Sequence, residues 1–212
     1  DAFLETARPL PALVTAVVCP EETNSLGGAL LAMKESIITP ILVGHAAAIR
    51  AAAAQLGAEL SGIEIVEAAT PAEAAATACT LVHEGRAQAV MKGHLHTEDL
   101  LKPMVDRDRG LRIGRRFTHV FVMDVPGQPN PVMVTDAAIN IAPDLPTKVD
   151  ICQNAIDLAI SLGMEPKVGV LSAVETVNPA IQSSIDAALL SKMADRGQIK
   201  GGLVEGPLAM DN

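Results

Sequence analysis

One pattern constrains this chain more than any other: short runs rich in β-branched residues alternate, from one end to the other, with alanine-rich stretches whose apolar residues fall at helical spacing. Leu13 to Cys19 reads as a buried strand, and residues 22–36 read as a helix with Leu26, Leu30, Met33 and Ile37 near one face. The pattern repeats with strands over 40–44, 63–66 and 87–91 and helices over 46–56 and 71–84, the latter with Pro71 in its first turn. Two strands, 118–124 and 131–135, are joined by VPGQPN, a turn signal that predicts antiparallel pairing. A helix over 147–162 stopped by Gly163, a strand over 167–172, a helix over 179–193 capped by Asn178 with Pro179 behind it, and a strand over 201–205 complete the series. Such alternation predicts an α/β fold with a largely parallel sheet covered on both faces, in which ligands collect at the carboxyl ends of the strands.

Composition narrows the possibilities. Three Phe and no Trp or Tyr in 212 residues leave Ala, Val, Ile, Leu and Met to build the core, which suits small-residue helices packed on β-branched strands. A net charge of −9 argues against nucleic acid as a partner. No apolar run approaches the roughly 20 residues needed to span a bilayer, and DAFLETARPL lacks a signal pattern, so no membrane partner is expected. Cys19, Cys79 and Cys152 are odd in number and widely spaced, which fits a reducing cytoplasm better than a disulfide framework or zinc knuckle. The two prolines of APDLP predict a boundary, with a first α/β/α domain over 1–144 and a second α/β domain over 145–212. Two strands and two helices are thin for a closed domain, so the second is expected to lack a C-terminal part.

Chemistry-bearing residues gather in four places. MKGHLHTEDLL (91–101) puts His94 and His96 at i, i+2; a metal site would need further ligands, which the spacing of His45, His83 and His119 does not offer. As an anion cradle, the same strand, glycine loop and helix start would present unpaired N–H groups and a positive dipole end, with Lys92 and the Thr97 hydroxyl as added donors; the plain alternative is a Thr97 cap and a tight turn at Gly93. Arg107, Arg109, Arg112, Arg115 and Arg116 suit phosphate recognition or equally a solvated run paired with Asp106 and Asp108. Asp136 and Asn140 follow one strand, and Ser172, Glu175, Thr176 and Asn178 follow another, as cleft residues or as caps and turns. No G-x-S-x-G elbow or G-x-G-x-x-G fingerprint is present, which disfavours a serine hydrolase and a dinucleotide site of that type.

Six segments in order, EETNSLGGALLAMKESIITPILVG, AVMKGHLHTEDLLKP, HVFVMDVPG, VTDAAINIAPDL, PKVGVLSAVETVNP and GGLVEGPLAMDN, resemble the phosphate acetyltransferase and phosphate butyryltransferase family, most nearly its butyryltransferase-like branch. The resemblance implies two α/β/α domains around an interdomain cleft, like isocitrate and isopropylmalate dehydrogenases, in a homodimer. It implies the reaction acyl-CoA plus phosphate to acyl phosphate plus CoA for an acetyl or butyryl group, with CoA as substrate and no metal or prosthetic group. Lys92, Gly93, His96 and Thr97 would form the anion site with Lys102 and Arg116; Lys102 stands where relatives can carry an arginine implicated in CoA binding. Asp136, Ala137 and Asn140 would line the opposite wall, and Ser172 and Thr176 would approach from the second domain. The family's catalytic Ser, Arg and Asp are expected C-terminal to Asn212, so no catalytic residue is assigned. The alternatives are a metal-dependent dehydrogenase of the same fold and a non-catalytic module that binds CoA or phosphate.

Overall fold

The computed structural model describes residues 2–210 of the chain. The elements, in order, are α1 (Ala2–Ala7), β1 (Leu13–Val18), α2 (Thr23–Lys34), β2 (Ile38–Gly44), α3 (Ala46–Leu56), β3 (Glu64–Glu67), α4 (Pro71–His83), β4 (Ala89–Lys92), α5 (Thr97–Met104), β5 (Val120–Met123), β6 (Val132–Thr135), α6 (Leu145–Ser161), β7 (Lys167–Leu171), α7 (Gln182–Asp195) and β8 (Leu203–Leu208). They form two compact units, 1–113 and 114–212.

The first unit is built on a parallel sheet with strand order β3-β2-β1-β4. Its strands carry apolar residues on both sides because both faces are covered. Val17 and Leu42 pack with Leu26 and Ala29 of α2 and Ile49, Ala52 and Ala53 of α3. Residues one position away in sequence, Ala16, Val18, Ile41 and Val43, point to the opposite face and are also buried, as are Ala75, Ala78 and Cys79 of α4 and Leu100 and Met104 of α5. The alanines let the helices lie close to the sheet without bulky aromatics.

In the second unit, β5 and β6 pair antiparallel, β7 and β8 pair parallel, and Cys152, Ile156, Leu190, Ile199 and Val204 form a core between α6, α7 and the β7–β8 sheet. Among the described residues no helix is long and apolar enough to cross a membrane.

One expectation, the start of the helix after Asn178, needs correction. The described strands form the four-stranded parallel sheet and two pairs, of which β5–β6 is the antiparallel pair expected around VPGQPN. The boundary expected at 144/145 falls inside the second compact unit, because residues 115–118 are tied to α6: Arg115 reaches Asp157 at 2.5 Å, and Asn154 donates to Arg116 O at 3.1 Å and Thr118 Oγ1 at 3.0 Å. Helix α7 begins at Gln182 rather than Pro179, since Asn178 closes a turn instead, its Oδ1 accepting from the Ala180 amide at 2.9 Å. The short helix α1 was not expected from the sequence pattern.

Candidate functional site

Building the sheet from β1, the chain adds β2 and β3 on one side and then crosses to place β4 on the other. The loops leaving β1 and β4 therefore head to opposite faces and open a crevice beyond the strands' carboxyl ends, the place where open parallel sheets bind ligands. Those loops are residues 19–22 and 93–96, so MKGHLHTEDLL lies at the switch point.

Backbone contacts hold the two loops together past the end of the ladder. Gly93 donates to Val18 O and His94 to Cys19 O, both at 2.8 Å. A Cβ on residue 93 would sit 2.4 Å from each of those carbonyl oxygens, so glycine is required for close approach and not for an unusual φ. Cys19 beside it adopts φ 54° and is buried. Burial first, then Glu21 and Asp99, push its thiol up to about 11, so it stays protonated at neutral pH and is no nucleophile.

The four helices that follow strands in this unit all start at this end of the sheet, and they differ in how their free N–H groups are met. At α3 the His45 ring accepts from Ala48 N, Glu21 Oε1 accepts from His45 N at 2.7 Å, and Glu67 Oε2 accepts from Ala46 N at 3.0 Å. At α4 Thr70 Oγ1 accepts from Glu73 N at 3.2 Å, and Glu73 Oε2 accepts from Ala69 N at 2.9 Å. By contrast the N-cap residues of α2 and α5, Glu22 and His96, make no side-chain cap bond. Of these four helices, the two that start at the switch point are the two whose N-cap residue makes no side-chain cap bond, which favours an anion there. Glu98 and Asp99 already occupy the first turn of α5, so an incoming anion also needs cations, and Lys92 is exposed beside it.

His96 takes the N-cap position and Thr97 is the first helical residue, so the plain reading of Thr97 as the cap is not what the structure has. Gly93, His96 and Thr97 are brought together with Lys92; Lys102 lies exposed on the last turn of α5, about 7.5 Å further along the axis. His94 does not share a role with His96: its Nδ1 is 3.0 Å from Glu22 Oε2. Glu21 and Glu22 were not among the expected site residues; two carboxylates directly after a strand at the ligand end of a parallel sheet are the local signal that marks this loop.

The remaining expected site residues belong to the second unit. Asp136 Oδ1 accepts from the amides of Ala138 (3.1 Å) and Ile139 (3.0 Å), and Oδ2 accepts from Asn140 Nδ2 at 2.5 Å. Burial pushes the Asp136 carboxyl up, but bonds from Ile139, Asn140, Ala138 and His119 outweigh it and hold it below the usual carboxylate range. Asn140 also donates to Phe117 O at 3.0 Å, so both side chains shape their own loop, and Ala137 is exposed at its turn. The Arg116 amide donates to Asp150 Oδ2 at 3.1 Å, leaving its side chain exposed. Ser172 Oγ bonds Ser183 Oγ at 2.8 Å, and Thr176 is exposed. An open hollow of about 500 Å³, lined in part by Arg50, Leu60 and Ile65, lies at the β3 edge of the sheet, away from the switch point.

Comparison with known proteins gives this geometry its class. Residues 71–212 match the family model described as phosphate acetyl/butaryl transferase. The chain belongs to that family. It is 51% identical over its whole length to a phosphate acetyltransferase of Rhizobium meliloti, of which it covers 67%. It is 46% identical over 99% of its length to a phosphate acetyltransferase of Rickettsia typhi, of which it covers 61%, so it spans less than two thirds of that relative. Its fold superposes on a branched-chain phosphotransacylase from Enterococcus faecalis with a TM-score of 0.73 at 27% identity, covering 94% of this chain and 70% of that one.

Proposed function

We propose that the chain binds the phosphate-bearing substrates of an acyl transfer at the β1–β4 switch point, and that its reaction is acyl-CoA plus phosphate to acyl phosphate plus CoA with an acetyl or butyryl group. The observation that carries this is the pair of uncapped helix ends, α2 and α5, beside the Gly93 close approach, in a chain of this family.

In the exchange a phosphate oxygen attacks the thioester carbonyl, the C–S bond breaks, and sulfur leaves with the bonding pair to be protonated as CoA. Both reactants are anions, so much of the work is holding them together against their repulsion. Donors fixed around the phosphoryl oxygens then stabilise the charge as it moves. In this reading Lys92, the Gly93 loop, His96 and Thr97 hold the phosphate, and Lys102 meets a phosphate of CoA as a point charge. In the second unit Arg116, Ala137 and Thr176 are the exposed candidate substrate contacts, on loops that Asp136, Asn140 and Ser172 shape. CoA is a substrate and no cofactor enters. A two-domain cleft like that of isocitrate dehydrogenase, a homodimer and a cytoplasmic location accompany the same reading.

Phosphate-dependent release of free thiol from acetyl-CoA or butyryl-CoA, with and without EDTA, tests it. Turnover is expected to survive the chelator and to fall about tenfold or more in Thr97→Ala, the loss of one hydrogen bond to a charged group. Unchanged kinetics in that variant count against this loop; binding without turnover favours a non-catalytic module, and chelator-sensitive hydride transfer a dehydrogenase.

A further inference from the structure

One side-chain contact joins the two switch-point loops, and the function just proposed does not use it. His94 Nδ1 lies 3.0 Å from Glu22 Oε2, with the two side chains 66% and 51% exposed. Glu22 is the N-cap residue of α2 yet does not cap it, so its carboxylate is available to the ring. The His94 amide is fixed to Cys19 O and the neighbouring Gly93 amide to Val18 O, both at 2.8 Å. The imidazole is thus held from its backbone and from Nδ1, while the rest of the ring faces solvent.

A carboxylate only accepts, so Nδ1 carries the hydrogen in either charge state and Nε2 is the atom that gains or loses a proton. We propose that Glu22 is a positioning residue that aims His94 Nε2 into the crevice, where the imidazolium donates a charge-assisted hydrogen bond to an anionic oxygen of the substrate. This rests on the reading of the switch point as the phosphate site. The charged and titratable groups on the elements around the ring are Glu21 and Cys19 on the β1 loop, His45 after β2, Glu67 at the end of β3, Lys92 on β4, and His96, Glu98, Asp99 and Lys102 on α5. Of these, Glu21 and Glu67 are engaged by the amides of His45 and Ala46, and Cys19 is a neutral thiol at neutral pH. A bound anion favours the imidazolium, which alone can donate to it from Nε2 while Nδ1 faces Glu22. Anion binding then takes up a proton, and affinity falls as pH rises through the histidine range, by up to about tenfold per pH unit.

Sulfate is the probe, because it is a tetrahedral dianion with no proton of its own to exchange over about pH 5 to 8. Sulfate titrations of the 212-residue chain followed by amide and imidazole NMR at several pH values read both site and linkage. Expected are shifts of the amides of residues 93–99, a neutral His94 in its Nδ1–H tautomer, and an upward move of its titration with sulfate. His94→Gln should keep binding at the high-pH level and lose the pH dependence; Glu22→Ala should mix the tautomers and weaken binding at low pH. Sulfate that leaves residues 93–99 unmoved overturns the phosphate site and this inference together. Binding there whose pH dependence survives His94→Gln, or a dominant Nε2–H tautomer, overturns this inference alone.

Discussion

Gly93 illustrates how one residue sets the geometry of the site. The sequence marks it as a turn glycine, but its reason is the approach of two carbonyl oxygens to the place where a side chain would begin. In Gly93→Ala the ends of β1 and β4 have to part, which is expected to cost about 2 kcal/mol or more and lower the melting temperature. Gly28 supplies the opposite sign within the same unit. It sits inside α2, and a Cβ there meets nothing nearer than Met91 Cε at 4.0 Å. Gly28→Ala is expected to stabilise by about 0.5–1 kcal/mol, because the helix loses a residue with excess backbone freedom. Thermal unfolding of the two variants side by side checks both, and equal destabilisation would contradict the close-approach argument.

At the scale of elements, the arginine-bearing loop after α5 is held by one imidazole. His83, the last residue of α4, places Nε2 3.1 Å from Arg109 O and 3.0 Å from Gly110 O, so Nε2 must be the donor. Asp106 Oδ1 accepts from the amides of Asp108 (2.9 Å) and Arg109 (2.8 Å) and completes the turn. His83→Ala is expected to cost about 1 kcal/mol and to speed hydrogen exchange at Leu111, whose amide bonds Met104 O at 2.7 Å, by roughly tenfold, with little change at Ala78 in mid-α4. This clasp could not be foreseen, since nothing local pairs residue 83 with residues 109 and 110. The elements themselves were legible where local signals agree with packing: α3 spans the residues expected, α4 starts at Pro71 behind the Thr70 cap, and α6 stops before Gly163 at φ 75°. Where they disagreed, tertiary contacts won. The buried Ser184 hydroxyl bonds Asn178 N and O and Ile181 O, which turns the Asn-Pro signature into a loop ahead of α7. The partition into three sheets is a matter of register between distant strands, which alternation does not encode.

At the scale of the whole molecule, the loop at 91–101 was legible as a strand-to-helix connection, the kind of loop that carries candidate ligand sites in parallel sheets, while its pairing with the loop at 19–22 depends on the strand order that puts β4 beside β1. Charge is distributed just as unevenly. Among the described residues, carboxyls held below their usual range are Asp106 in the first unit and Asp136, Asp144, Asp157, Asp186 and Asp195 in the second. At Asp186 burial pushes the carboxyl up, and bonds from Lys148 (2.5 Å) and Gln182 (2.8 Å) outweigh it; at Asp157 the Arg115 bond is the largest cause. A carboxyl with a lowered folded-state pKa stabilises the fold in full above its unfolded value, about 3.9, and that contribution is lost as pH falls towards the folded value. Asp106, Asp144 and Asp195 are well solvated and Asp157 is half-exposed in its pair with Arg115, so all four add little, and Asp136 and Asp186 in the second unit carry most of the effect. The second unit is therefore expected to open first on acidification below about pH 4. Buried thiols report on each unit separately: Cys19 and Cys79 in the first, Cys152 in the second. Burial pushes the Cys152 thiol up to about 11, so it is inert while the fold is intact. With dithiodipyridine, which reacts with thiols in acid, Cys152 is expected to label at a higher pH than Cys19 and Cys79, and Lys148→Met should raise that pH further by removing the Asp186 partner. Simultaneous labelling of all three, or labelling of Cys19 and Cys79 ahead of Cys152, would contradict a fold whose acid sensitivity is concentrated in residues 114–212.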